Sequence, residues 1–157
     1  IYAEMAMAYE SLGDLAAAKA AYLAAADLAP KDTAFWLLLA EFSIAHEIEV
    51  ESLALPAARN AVALRPDDSH ALSALGFAQF LVGDNDMAER SLRQALAIDP
   101  LDATLQYRWG LLRQARADLP GSIAALSVAS QLDPSGAVGE LARRTIESLA
   151  PYISARP

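Results

Sequence analysis

"QALAIDPLDA", residues 94–103, reads as the last turns of a helix, a proline stop and the approach to a second helix. Ala95 and Ile98 lie three residues apart and share one helical face. Pro100 has no N–H to donate and pushes its predecessor out of the helical region, so the helix ends just before it. The phrase is written three more times, as "AAADLAP" at 24–30, "NAVALRP" at 60–66 and "VASQLDP" at 128–134. Each copy has alanine, an aliphatic residue three later, and proline two beyond that. Pro30, Pro66, Pro100 and Pro134 are spaced 36, 34 and 34 residues apart. A period in the thirties is the signature of a helical-repeat solenoid, because one helix pair cannot bury its apolar stripe and must stack on the next.

A second marker lies half a period upstream. Gly13-Asp14, Gly83-Asp84 and Ala117-Asp118 place an aspartate sixteen residues before the proline of the same repeat. A small residue ends one helix and the aspartate caps the next. Each repeat therefore reads as helix, tight turn, helix, proline stop.

With these residues in place, the chain resembles the tetratricopeptide repeat (TPR) family over residues 1–134. The third repeat carries the resemblance through Leu72, Leu75-Gly76, Ala88, Leu92, Ala95 and Pro100. The first carries it through Tyr2, Met5-Ala6, Tyr9, Ala18, Tyr22, Ala25 and Pro30. The fourth offers Trp109-Gly110, Leu126, Ala129 and Pro134, with Ser122 where alanine is usual, and the second offers Trp36, Leu39 and Ala40. The resemblance implies an all-α fold, an α-solenoid of antiparallel helix pairs wound into a right-handed superhelix. The expected units are 1–30, 31–66, 67–100 and 101–134, followed by a capping helix and tail at 135–157. Gly76 and Gly110 would let a neighbouring helix approach the backbone, with Trp36, Tyr22, Leu92 and Trp109 filling the space between.

The second repeat departs from the pattern. It is two residues longer and contains "HEIEVESLALP", 46–56. Pro56 belongs in a helix's first turn. The expectation is a longer connection at 47–53 and a short helix from near Leu55, with a kinked full-length helix as the alternative. After Pro134, Val138, Leu141, Ala142, Thr145 and Leu149 form one apolar stripe while Arg143, Arg144 and Glu147 face water.

Composition narrows the function. The chain has 157 residues, is 55% hydrophobic and has a mean hydropathy of +0.23, so it can bury a core. Charged or turn residues break every apolar stretch, and no membrane insertion is expected. Cysteine is absent, which excludes disulfides and thiolate sites. The net charge is −8, of which residues 1–78 hold −7, and nucleic acid is not an expected partner. Residue 1 falls inside a first-helix pattern, which reads as a piece cut from a longer protein. Compartment and oligomeric state are not legible.

No catalytic arrangement is present in the sequence. His46 and His70 belong to different repeats, and neither a nucleophile elbow nor a phosphate loop occurs. His46 with Glu47, Glu49 and Glu51 lacks metal-ligand spacing and reads as a solvated loop. "DND" at 84–86 opens like a calcium loop but lacks the glycine and glutamate that would complete it. The reading is of no enzyme, no cofactor and no metal.

The family's first helices line a concave groove that binds peptides or helices. By that resemblance the groove residues are Leu37, Glu41, Ile44, Ser73, Phe77, Tyr107, Leu111 and Gln114, with His70, Phe80 and Thr104 beside them. Ala3, Met7 and Glu10 would extend the groove into the first repeat. The lysines, arginines and asparagines with which family members hold a terminal carboxylate are missing here, apart from Arg108. Arg108, Arg113 and Arg116 read as a solvated basic face. The function expected is a scaffold that binds a protein, a peptide or an amphipathic helix in an apolar groove. The alternative is a regulatory or structural segment of a larger enzyme or sensor.

Overall fold

The computed structural model describes residues 1–154, and the last three residues of the expected tail lie outside it. The described residues form α1 (Tyr2–Ser11), α2 (Leu15–Leu28), α3 (Thr33–Ala45), α4 (Leu55–Leu64), α5 (Ser69–Leu81), α6 (Asn85–Ile98), α7 (Ala103–Ala115), α8 (Leu119–Leu132) and α9 (Ala137–Ser154). A π-helical turn, Val50–Ala54, leads into α4. No strand occurs among the described residues. Helices α1 to α8 pack as four consecutive antiparallel pairs that stack into an α-solenoid. Helix α9 lies on α8 and touches α7, as α7 lies on α6 and touches α5. No described helix is long and apolar enough to cross a membrane.

Two kinds of reversal alternate along the chain. Inside each pair the first helix ends on a left-handed residue: Gly13 (φ +77°), Glu47 (+51°), Gly83 (+86°) and Ala117 (+60°). The N–H of that residue bonds three back and the next N–H bonds five back, as in Gly13 to Glu10 (3.0 Å) and Asp14 to Tyr9 (2.9 Å). The same two bonds recur at Glu47/Ile48, Gly83/Asp84 and Ala117/Asp118. This is a Schellman ending, which satisfies helix carbonyls that would otherwise lack donors.

Between pairs the proline decides. The residues before it, Ala29, Arg65, Asp99 and Asp133, have φ of −132°, −140°, −134° and −129° with positive ψ, outside the helical region that a following proline disfavours. Two residues after three of the prolines, Asp32, Asp68 and Asp102 accept backbone N–H bonds from Ala34, from His70 and Ala71, and from Leu105. Asp14, Asp84 and Asp118 do the same for α2, α6 and α8. Each such cap contributes about 1 kcal/mol. The Gly121 N–H and then the Arg113 guanidinium hold the Asp118 carboxyl below the ordinary carboxylate range.

The second repeat corrects one expectation. Residues 50–54 are helical, so the connection is only His46–Glu49 and the helical path to Leu64 is full-length. From left-handed residue to proline the other repeats count 17 residues; this one counts 19. A π turn takes up an extra residue within a helix. A second left-handed residue, Glu49 (φ +50°), helps to accommodate the rest in the turn. Ile48 stands where the other repeats have a capping aspartate, and α4 starts with Pro56 in its first turn instead.

Ala40, Gly76 and Gly110 each lie ten residues after a proline, and Ala6 holds the matching place in α1; all four are buried. A Cβ on Gly76 would lie 2.7 Å from Leu92 Cγ, and one on Gly110 would lie 2.7 Å from Leu126 Cγ. The missing side chain is thus occupied by a leucine of the second helix. Tyr22 and Leu92 are buried as expected, whereas Trp36 and Trp109 are half-buried. The Trp36 indole donates to the Pro30 carbonyl (2.9 Å), and Trp109 lies between the Arg93 and Arg113 guanidinia. Ser122 takes a fully buried alanine place, and its hydroxyl has no hydrogen-bond partner among the described residues. On α9, Ala142 and Leu149 are buried, but Leu141, expected on the same stripe, is exposed; the half-buried Ile146 completes the inner face.

Two substitutions test the packing and the turn. Gly110→Ala is expected to destabilise by about 1–3 kcal/mol, because its Cβ enters space held by Leu126. Ala117→Gly is expected to stabilise by about 0.5–1 kcal/mol, since relief of the left-handed strain exceeds glycine's entropy cost. Urea melts check both; opposite signs from these would refute the packing contact and the turn respectively.

Candidate functional site

The first helices of successive pairs lie side by side, α3 against α5 and α5 against α7. Between α3, α5 and α7 lies a depression of about 290 Å³ lined by Leu37, Glu41, His70, Ser73, Asp102, Thr104 and Arg108. A wider hollow shares Leu37 and opens at the Pro30 turn beside Lys31, Asp32, Arg65 and Asp68.

The floor is organised by Arg108. Eight residues after the other prolines the chain has Leu38, Ala74 and Ala142, all apolar. Arg108 puts a cation in that register and is only 6% exposed. Taking such a group out of water costs several kcal/mol unless it is paired and hydrogen-bonded. Here it is both. Nη1 donates to Glu41 Oε1 and to Ser73 Oγ, each at 3.0 Å, and Nη2 donates to Glu41 Oε2. The guanidinium also lies over the Phe77 ring, 5.1 Å from its centroid. One side chain therefore joins α7 to α5 and α3, and its carboxylate partner is 67 residues away. The pair is asymmetric: the Arg108 side chain is 7% exposed and that of Glu41 is 38%. His70 Nδ1 is 3.6 Å from Asp102 Oδ2, beyond hydrogen-bond length.

The sequence-predicted groove residues divide into three groups. Leu37, Glu41 and Ser73 come together in the depression, with Phe77 half-buried under Arg108 and stacked on Phe80 at 5.5 Å. Tyr107 is half-buried against the C-terminal cluster of Leu126, Ala129, Ala142 and Leu149, and Leu111 and Gln114 are half-buried along α7. Ile44 is different: it is 6% exposed, belongs to the N-terminal core and offers no surface to a ligand. Ser73 is also buried, with its hydroxyl taken by Arg108.

The expected basic face of α7 does not form. Arg108 points into the floor, Arg113 pairs with Asp118, and Arg116 pairs with Asp86 and Glu89. The residue that sequence reasoning misjudged is Arg108. Its register was the available signal, since a charge among apolar equivalents must find a buried partner. His46 Nε2 lies 2.8 Å from Glu10 Oε1 and Glu49 pairs with Lys19, so the 46–49 connection is tied to the first repeat. Among the described residues no group of three or more His, Cys, Asp or Glu could hold a metal ion.

Comparison with known proteins agrees with the fold. Residues 1–42 match the family model for the tetratricopeptide repeat. No curated protein sequence matches the chain. Among solved structures it is similar to a thermophilic TPR protein of Thermus thermophilus, at 22% identity and TM-score 0.75, over 91% of this chain and 76% of that one. It is similar to MamA at 20% identity and TM-score 0.69, over 98% of this chain and 93% of that one. It is also similar to the first TPR of Spaghetti (RPAP3) bound to the HSP90 peptide SRMEEVD, at 21% identity and TM-score 0.65, over 74% of this chain and 90% of that one.

The asymmetry of the buried pair sets a prediction. Glu41→Leu strands a buried cation and is expected to cost about 3 kcal/mol, whereas Arg108→Met leaves a half-exposed carboxylate that water can reach and is expected to cost about 1 kcal/mol. Denaturation of the single and double variants measures both costs and the coupling. A larger cost for Arg108→Met would contradict the described burial.

Proposed function

We propose that this chain, a TPR solenoid, is a protein-interaction scaffold that holds a peptide or amphipathic helix against the first helices of its repeats. What supports this reading is that Phe77, Phe80, Tyr107 and Leu111, from two successive first helices, are half-buried apolar side chains, as is Leu37 of a third. Leu37 lines a depression to which only α3, α5, α7 and the α7 cap contribute, and Phe77 lies against its Arg108. Aromatic anchors of this kind dominate interfaces, and an amphipathic helix reads such a surface through apolar residues at i, i+3, i+4 and i+7. The neighbour that binds an HSP90 peptide supports a peptide as occupant in general. That peptide's acidic sequence is not carried over, because Arg108 is already paired within this chain. The scaffold acts by binding, with no catalytic step assigned to it.

A peptide library selected on the purified chain tests the proposal. The expected ligands carry an apolar stripe at helical spacing. Phe77→Ala with Tyr107→Ala is expected to weaken them at least about tenfold while helicity is retained. Selected peptides that bind the double variant as tightly as wild type would place the binding surface elsewhere.

A further inference from the structure

We propose that the depression beside Leu37 takes a basic side chain of the groove's partner, because Arg108 is neutralised inside the chain by Glu41. The inference rests on the groove reading and names the partner's chemistry. The Arg108 side chain is 7% exposed, and three of its five N–H donors are taken within the chain. Both Glu41 oxygens and the Ser73 hydroxyl accept from it, and Phe77 lies against its face. A partner's carboxylate would have to displace Glu41 and would meet that repelled carboxylate at the same place. The carboxylates, by contrast, remain within reach. The side chains of Glu41 and Asp102 are 38% and 20% exposed, against 7% for Arg108. With His70 neutral, Glu41, Asp102 and Arg108 leave the depression one negative charge. Its volume of about 290 Å³ has room for one long side chain, with Leu37 against the methylene stem and the charged end toward Glu41 and Asp102. The wider field has the same sign, since residues 1–78, which include Glu41, carry −7 of the chain's −8. Complementary charge of this kind selects partners and suppresses wrong ones.

The test uses two fluorescein-labelled helical peptides of about 18 residues with one shared Leu/Phe stripe, the polar positions filled by Lys in one and Glu in the other. Fluorescence polarisation follows binding at about 50 and 300 mM salt. Bulk attraction to a chain of net −8 favours the Lys peptide everywhere, so the local readout is a variant. Glu41→Gln is expected to lower the Lys-over-Glu preference at least about fivefold, partly by a gain for the Glu peptide as Arg108 is released. Glu51→Gln, an exposed site that removes the same charge outside the lining of the depression, is expected to change it less than about twofold. If Glu41→Gln is poorly folded by circular dichroism, Asp102→Asn, which keeps a capping side chain at the start of α7, removes one negative charge from the depression instead. That variant is expected to lower the Lys-over-Glu preference at least about twofold while keeping dependence on Phe77. An unchanged preference in a folded Glu41 or Asp102 variant, or a wild type that favours the Glu peptide, overturns the charge inference alone. If neither peptide binds, or if Phe77→Ala with Tyr107→Ala has no effect on either, the groove reading falls and this inference with it.

Discussion

The structure depends on the chain turning back at two fixed places in every repeat. A proline stops the second helix by keeping its predecessor out of the helical region. A left-handed residue stops the first helix with paired Schellman bonds. Proline to left-handed residue is 17 positions in the second, third and fourth repeats. That constancy puts the tenth residue after each proline on the same inner face, so Gly76 and Gly110 meet the leucines of their partner helices. A helix that ended one residue late would rotate its face by about 100° and bury the wrong side chains.

Where the count changes, the backbone absorbs it without moving the neighbours. The two extra residues of the second repeat lie between Glu47 and Pro66. A π turn and a second left-handed residue accommodate them, and the contacts of α3 with α4 and of α4 with α5 are kept. Left-handed backbone at residues with a Cβ costs roughly 1–2 kcal/mol. Glu47, Glu49 and Ala117 bear that cost, and Gly13 and Gly83 do not.

The repeat register also explains how a polar cluster can sit at an otherwise apolar position. Arg108 occupies a place that is Ala74 one repeat earlier, and it reaches past Ser73 to Glu41 two repeats away. The cation is thereby used for cohesion between repeats, and Glu41 is the more exposed member of the pair. A depression whose arginine is paired in this way differs in sign from one that keeps a free arginine on its wall, although a simple count of charged residues on α7 would treat the two alike.

The spacing of four prolines, the capping aspartates and the small residues at the helix contacts made the helix pairs and their order legible from sequence. Those features act over one or two turns, so local chemistry is enough to read them. The choice of Leu37, Glu41, Ser73 and Phe77 came from the family resemblance, and the depression brings Leu37, Glu41 and Ser73 together. Helical period says nothing about depth, and depth is set by what the neighbouring repeat places opposite. Only tertiary packing decided that Ile44 is core and that Leu141 faces out. It also decided that residues 50–54 are helical, because an extra residue can go into a loop or into a helix with little change in local preference. The pairing of Arg108 with Glu41 lay furthest from local reading: the two are 67 positions apart, and a buried charge shows its partner only when the helices are stacked.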